Sequence, residues 1–124
     1  MRFLVDTNTV IYLVGGAFPA LTRRIEDTPV GDIGLSAIVF AELALGSYNG
    51  LAPAIDTLDR LIDQMPLLPF DEAAARAYAA LPFRRGRFDR LLAAHALSLG
   101  ATVITRNLAD FSDIPGLKVE NWTA

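Results

Sequence analysis

The chain has no cysteine and a single histidine, His95. The first absence excludes disulfides, thiolate metal sites and cysteine nucleophiles, and it agrees with a reducing, cytoplasmic setting. The second argues against a zinc site of the usual kind, which needs partner histidines. No apolar run approaches the roughly 20 residues of a membrane span, and no basic start precedes an apolar signal core. No membrane partner is expected. Positive charge is also scarce: 11 Lys and Arg against 14 Asp and Glu leave a formal net charge of −3. That balance argues against a protein that coats nucleic acid through bulk charge, although an enzyme with a locally acidic site is compatible with it. What is present is a chain of 124 residues, 52% hydrophobic, without repeats or low-complexity tracts. One domain spanning residues 1–124, with an ordinary core, is the expected organisation.

The stretch that organises the chain is its beginning. Phe3-Leu4-Val5 is an apolar run, the pattern of a strand buried on both faces, and Asp6-Thr7-Asn8 follows at once. In open α/β sheets ligands gather outside the carboxyl ends of the strands, which is where this arrangement puts Asp6. Asp6 therefore has two open roles, ligand or helix N-cap.

Further along, one or two helical turns are expected over residues 9–14, broken by Gly15-Gly16, then a small helix over 20–26. Residues 33–36 form a second short strand whose Ser36 caps a helix over 37–47. That helix is apolar nearly all round, which implies burial, and Glu42 is its one charged residue. A buried carboxylate needs a partner or a cation. An amphipathic helix over 54–65 follows, and Leu67-Leu68 reads as an edge strand or extended loop because Pro66 and Pro69 flank it. Asp71 caps a helix over 73–81.

Residues 83–90 concentrate positive charge: Arg84, Arg85, Arg87 and Arg90 with Phe83 and Phe88 interleaved. Such a block can contact phosphates and stack on unpaired bases, and it can equally be a solvated loop. Asp89 opens a helix over 91–99, with Leu91, Leu92, Ala96 and Leu99 directed at the core. His95 lies on that stripe as a core histidine. A β-branched strand over 101–105 ends in Arg106-Asn107, a short turn carries Asp110 and Phe111, and the last strand covers 117–122.

Strands alternating with helices predict an α/β protein with a mainly parallel central sheet. On such a scaffold Asp6, Glu42, Asp89 and the Arg106-Asn107 end of a strand can converge on one crevice. Clustered carboxylates repel one another, and a hard cation such as Mg²⁺ or Mn²⁺ relieves the repulsion. A metal held that way activates water for attack on a phosphodiester.

Together, Asp6-Thr7-Asn8, Leu35-Ser36 leading to Ala41-Glu42-Leu43 with Gly46, Asp89 before Leu92-Ala93-Ala94-His95-Ala96, Thr105-Arg106-Asn107 with Asp110-Phe111, and Ile114-Pro115-Gly116-Leu117 with Glu120-Asn121-Trp122 resemble the PIN-domain ribonucleases, in particular the VapC toxins of toxin–antitoxin pairs. Each motif is short, but five in the right order over nearly the whole chain are specific. The resemblance implies a three-layer α/β/α PIN-like domain and a Mg²⁺- or Mn²⁺-dependent endoribonuclease. It also implies a homodimer, inhibition by a VapB-type antitoxin, and promoter DNA bound through that antitoxin.

Position by position, it makes Asp6, Glu42 and Asp89 the metal-binding acids, with Thr7 and Asn8 in support. It also makes Asn107 or Asp110 the fourth member of the site, and Asp110 a catalytic candidate. RNA-binding candidates are Arg84, Arg85, Arg87 and Arg106. Two departures stand out: Asn107 occupies a position where many PIN domains have aspartate, and the segment between Tyr78 and Asp89 is shorter than in typical VapC toxins.

Other readings fit less well. A receiver domain needs an acidic pair after its first strand, and a dehalogenase-type phosphatase needs a second aspartate at position 8, which is Asn. A catalytically degenerate PIN domain that binds RNA or protein is the alternative.

Overall fold

The computed structural model describes residues 2–82 and 88–124. Its centre is β1 (Phe3–Val5), with all three residues buried. β2 (Ile33–Ser36) is buried over its full length and pairs with β1 in parallel, Phe3 opposite Ile33. On the other side β1 pairs with β4 (Thr102–Ile104), again in parallel, with Leu4 opposite Val103. β3 (Leu67–Leu68) and β5 (Val119–Glu120) are two-residue edge strands, and the order is β3-β2-β1-β4-β5 with every pairing parallel. The prolines around β3 thus leave an edge strand. Continuous burial of β1 and β2 requires cover on both faces, the three-layer α/β/α arrangement expected from the alternation.

Six α-helices provide that cover among the described residues. α1 (Thr7–Gly15) runs longer than the one or two turns expected, because Asp6 caps its first N–H groups and the helix starts at once. α2 (Pro19–Asp27) opens with proline in its first turn, and α4 (Ile55–Gln64) buries Leu58. α5 (Glu72–Ala79) is capped by Asp71, whose Oδ1 accepts the Ala74 N–H at 3.0 Å. A 3₁₀ turn covers Leu108–Phe111. None of these helices is long and apolar enough to cross a membrane.

Two sequence expectations need correction. α3 (Ala37–Tyr48) is not buried all round: Val39, Leu43 and Ser47 are buried, whereas Leu45 is 67% and Tyr48 74% exposed. Val39, Leu43 and Ser47 recur every four residues, so the helix rests on the core along one stripe flanked by half-buried Phe40 and Ala44, while Ala41, Leu45 and Tyr48 face outward. α6 (Phe88–Leu99) buries Arg90 and every residue from Leu92 to Ala96, while Leu99 is 40% exposed. Its alanines at 93, 94 and 96 let neighbours approach closely, so burial extends round the helix instead of following a leucine stripe. Asp89 lies within the first turn of α6 rather than before it.

The core gathers Leu4, Val5, Val10, Leu35, Val103, Ile104 and Trp122. Trp122 packs edge-on against Phe3 at 4.9 Å between ring centroids and donates its indole N–H to Glu120. The chain beyond β5 is thereby tied to the centre of the sheet.

Candidate active site

The strand order puts the reversal of chain direction across the sheet between β1 and β4. From β1 the chain builds outward through β2 and β3, and then returns to β4 and β5 on the opposite side. Ligands bind in the crevice at such a switch point, outside the carboxyl ends of the strands. Asp6 follows β1 directly, and Thr105, Arg106 and Asn107 follow β4.

A chain of hydrogen bonds joins these two ends. Asp6 Oδ1 accepts the Thr9 N–H at 2.8 Å, the capping bond of α1. Its Oδ2 accepts the Thr105 hydroxyl at 2.6 Å, and Thr105 Oγ1 in turn accepts the Asn107 N–H at 2.9 Å. The Asn107 side chain donates to Asp110 Oδ2 at 2.6 Å, so the two candidates for the fourth position form one pair. Backbone closes the seam: the Asp6 N–H and the Thr9 hydroxyl both donate to the Ile104 carbonyl. The capping role open to Asp6 is observed, and its second oxygen bonds to the end of β4.

Glu42 enters from the other side. Thr7, in the first turn of α1, donates its hydroxyl to Glu42 Oε1 at 2.8 Å, which places the middle of α3 beside the Asp6-Thr7-Asn8 stretch. Glu42 is half-buried, not sealed in an apolar helix, so the compensation expected from sequence is supplied by a hydroxyl and by solvent. Asp89 is also half-buried at the start of α6. Among the described residues no group of three or more His, Asp or Glu side chains stands close enough to hold a metal ion jointly.

A cleft of about 480 Å³ lies at the switch point, lined by Asp6, Asn8, Tyr12, Arg106, Asn107 and Asn121. Glu42 and Asp89 are not among its lining residues. The Arg106 guanidinium sits 5.0 Å above the Phe18 ring, and Phe18 meets Tyr12 edge-on at 5.2 Å. Arg84, Arg85 and Arg87 lie outside the described residues. Arg90, the fourth arginine of that block, is not available for phosphate contact. It is 7% exposed, pairs with Asp113 at 3.1 Å and donates to the Pro82 carbonyl at 2.7 Å.

Three members of the site were not assigned a site role from sequence. Thr105 and Asn121 stand in the motifs that carry the resemblance, but both fall inside expected strands, and Tyr12 carries no local signal. His95 is the core histidine expected: it is 2% exposed, its Nδ1 bonds with the Ser36 hydroxyl at 2.8 Å, and its ring packs on Phe70. Burial holds its pKa below the usual value, against a smaller opposing pull from Asp71.

A parallel α/β sheet with acids and amides at its switch point defines the class, an α/β protein with a polar crevice outside the carboxyl ends of its strands. The chain belongs to the PIN domain family, whose model matches residues 3–117. Within that family it is similar to VapC proteins: 31% identical to the tRNA(fMet)-specific endonuclease VapC of Salmonella typhimurium over 98% of both chains. It is 29% identical to ribonuclease VapC1 of Haemophilus influenzae over 99% of both. Among solved structures, DNA-bound VapBC from Salmonella typhimurium superposes with a TM-score of 0.87 at 28% identity, covering 98% of each chain. VapBC-1 from nontypeable Haemophilus influenzae gives 0.83 at 28% identity, covering 100% of each.

Proposed function

We propose that the protein is a metal-dependent endoribonuclease and the toxin half of a VapBC-type toxin–antitoxin pair. The observation that carries this reading is the hydrogen-bonded seam that draws Asp6, Thr105, Asn107 and Asp110 to one crevice, with Glu42 joined through Thr7. Relatives named as ribonucleases and endonucleases support the activity, and the VapBC complexes among the structural neighbours support an antitoxin partner.

The donor set suits a hard divalent cation. Each oxygen of Asp6 receives one hydrogen bond and retains a lone pair, and Glu42 Oε1 likewise accepts a single bond. Mg²⁺ is commonly held by one or two carboxylates while water and substrate phosphate complete its shell, so a three-acid cage is not required. Asp6 and Glu42 would hold it, with Asp89 approaching from α6. Bound there, Mg²⁺ or Mn²⁺ would lower the pKa of a water and offset charge on the phosphodiester.

The protein's own groups have separable tasks. Thr9 and Thr105 fix the Asp6 carboxylate so that it need not reorganise as charge develops. Asp110, held in place by the Asn107 N–H₂ group, can orient a water for attack on phosphorus. Attack forms a new P–O bond, the bond to the leaving ribose oxygen breaks, and that oxygen takes up a proton. Arg106 supplies the positive charge that keeps the strand in the crevice. The outward apolar stripe of α3, Ala41, Leu45 and Tyr48, supports a homodimer.

The test is Asp6→Asn, isosteric and able to keep the cap. Wild-type protein incubated with RNA and Mn²⁺ should cut it, EDTA should stop the cutting, and Asp6→Asn should reduce the rate by at least about 10²-fold with the fold intact by circular dichroism. Chelator-insensitive cutting, or full activity in the variant, would overturn the assignment. RNA binding without cutting would establish the degenerate-domain alternative.

A further inference from the structure

We propose that the part of the cleft beyond Asp6 is a subsite for one unstacked nucleotide of single-stranded RNA, the one flanking the scissile phosphate. The proposal rests on the nuclease reading and adds a recognition role for Asn121, Asn107 and Arg106. The cleft, about 480 Å³, is within the range of roughly 300–1,000 Å³ that holds a small ligand. Among the described residues no aliphatic side chain lines it. Three amides, a phenol, a guanidinium and one carboxylate suit a ligand that joins an anion to a planar edge rich in donors and acceptors.

Two of the amides are already oriented by the protein. Asn121 Oδ1 accepts both the N–H and the hydroxyl of Thr123, so its amide N–H₂ group is left to donate. Asn107 does the reverse: its N–H₂ group donates to Asp110, so its Oδ1 is left to accept. A fixed donor and a fixed acceptor can read a base edge, and asparagine is among the side chains that do so by paired hydrogen bonds. Arg106 makes no salt bridge among the described residues and is held over Phe18 instead. It keeps its charge for a phosphate and its planar face for stacking. A duplex does not present its base edges to a cleft this small, and this favours an unpaired nucleotide.

The subsite is tested by binding, without chemistry. Fluorescein-labelled single-stranded RNA octamers of A, C or U are titrated with protein in EDTA, and anisotropy gives Kd. Wild-type protein should discriminate among the three. Asn121→Ala, at an exposed position, should weaken the preferred octamer about fivefold, the worth of one hydrogen bond, and narrow the discrimination. Arg106→Ala should weaken all three alike and lower the salt slope by about one. Equal affinity for all octamers, absence of binding, or an Asn121→Ala variant with wild-type Kd values overturns the subsite.

The two proposals fail separately. Wild-type protein that cuts RNA with Mn²⁺ while Asn121→Ala binds unchanged leaves the nuclease standing without the subsite. Octamer binding with the expected dependences, but no cutting with any divalent ion, leaves the subsite standing without the nuclease.

Discussion

Thr105 shows what a single hydroxyl does in this site. It is 1% exposed, it donates to Asp6 Oδ2 and it accepts the Asn107 N–H, so one side chain sets the positions of residues from two strand ends. Thr105→Val keeps the volume but leaves the Asn107 N–H without its partner and Asp6 with one hydrogen bond fewer. Stability should fall by about 1–3 kcal/mol in urea unfolding, and more Mn²⁺ should be needed for half-maximal cleavage, because Asp6 is no longer held in place. Thr105→Ser should restore both. A valine variant with the wild-type metal requirement would remove Thr105 from the site. Asp6 was conspicuous in the sequence, a carboxylate directly after an apolar run, and it lines the cleft. Thr105 was not, because a threonine in a β-branched strand looks like strand propensity until its partner is seen.

Among the elements, α3 and α6 are joined through Ser36 and His95. Ser36 ends β2, caps α3 by accepting the Ile38 N–H at 3.1 Å, and bonds with His95 Nδ1 from α6. Burial lowers the pKa of His95 from 6.5, so the unfolded chain binds the proton more readily than the folded one. Stability is therefore fully present above about pH 6.5 and falls as the pH drops through the lowered folded value. Urea midpoints measured from pH 7.5 down to pH 5 should decline in the wild type and decline less in His95→Gln. An identical slope in both proteins would show that His95 is not the group responsible. The outward stripe of α3 bears on assembly. Leu45 and Tyr48 are three residues apart and both largely exposed, and Leu51, 67% exposed, follows in the turn against Gly46. If this face joins two copies, Leu45→Asp with Tyr48→Ser should give a monomer in sedimentation equilibrium at concentrations where the wild type is a dimer. A double variant with wild-type mass would exclude this face.

For the whole molecule, the parallel sheet was legible from the alternation of apolar runs and helices, and the edge position of β3 from Pro66 and Pro69. The exposure of α3 was not, since its composition is apolar on every side and only the packing of its neighbours decides which side is covered. Arg90 is a similar case. In sequence it belongs to a basic block. In the fold it crosses from α6 to Asp113, beyond the 3₁₀ turn, and to the Pro82 carbonyl after α5. These bonds anchor the start of α6, where Asp89 stands, to two other parts of the chain. Arg90→Met keeps much of the apolar stem and removes the guanidinium, leaving the Pro82 carbonyl and Asp113 without these bonds. Asp113 is partly exposed, its side chain 37% accessible, so the loss should be moderate, about 1–3 kcal/mol in urea unfolding. Cleavage per folded molecule, measured well below the unfolding midpoint, should also fall, because Asp89 loses the anchor of its helix although Arg90 itself touches no substrate. Asp113→Asn should have a smaller effect on both measurements, since the bond from Arg90 to Pro82 persists. An Arg90→Met protein that melts and cuts like the wild type would show that α6 is positioned by its alanine packing alone.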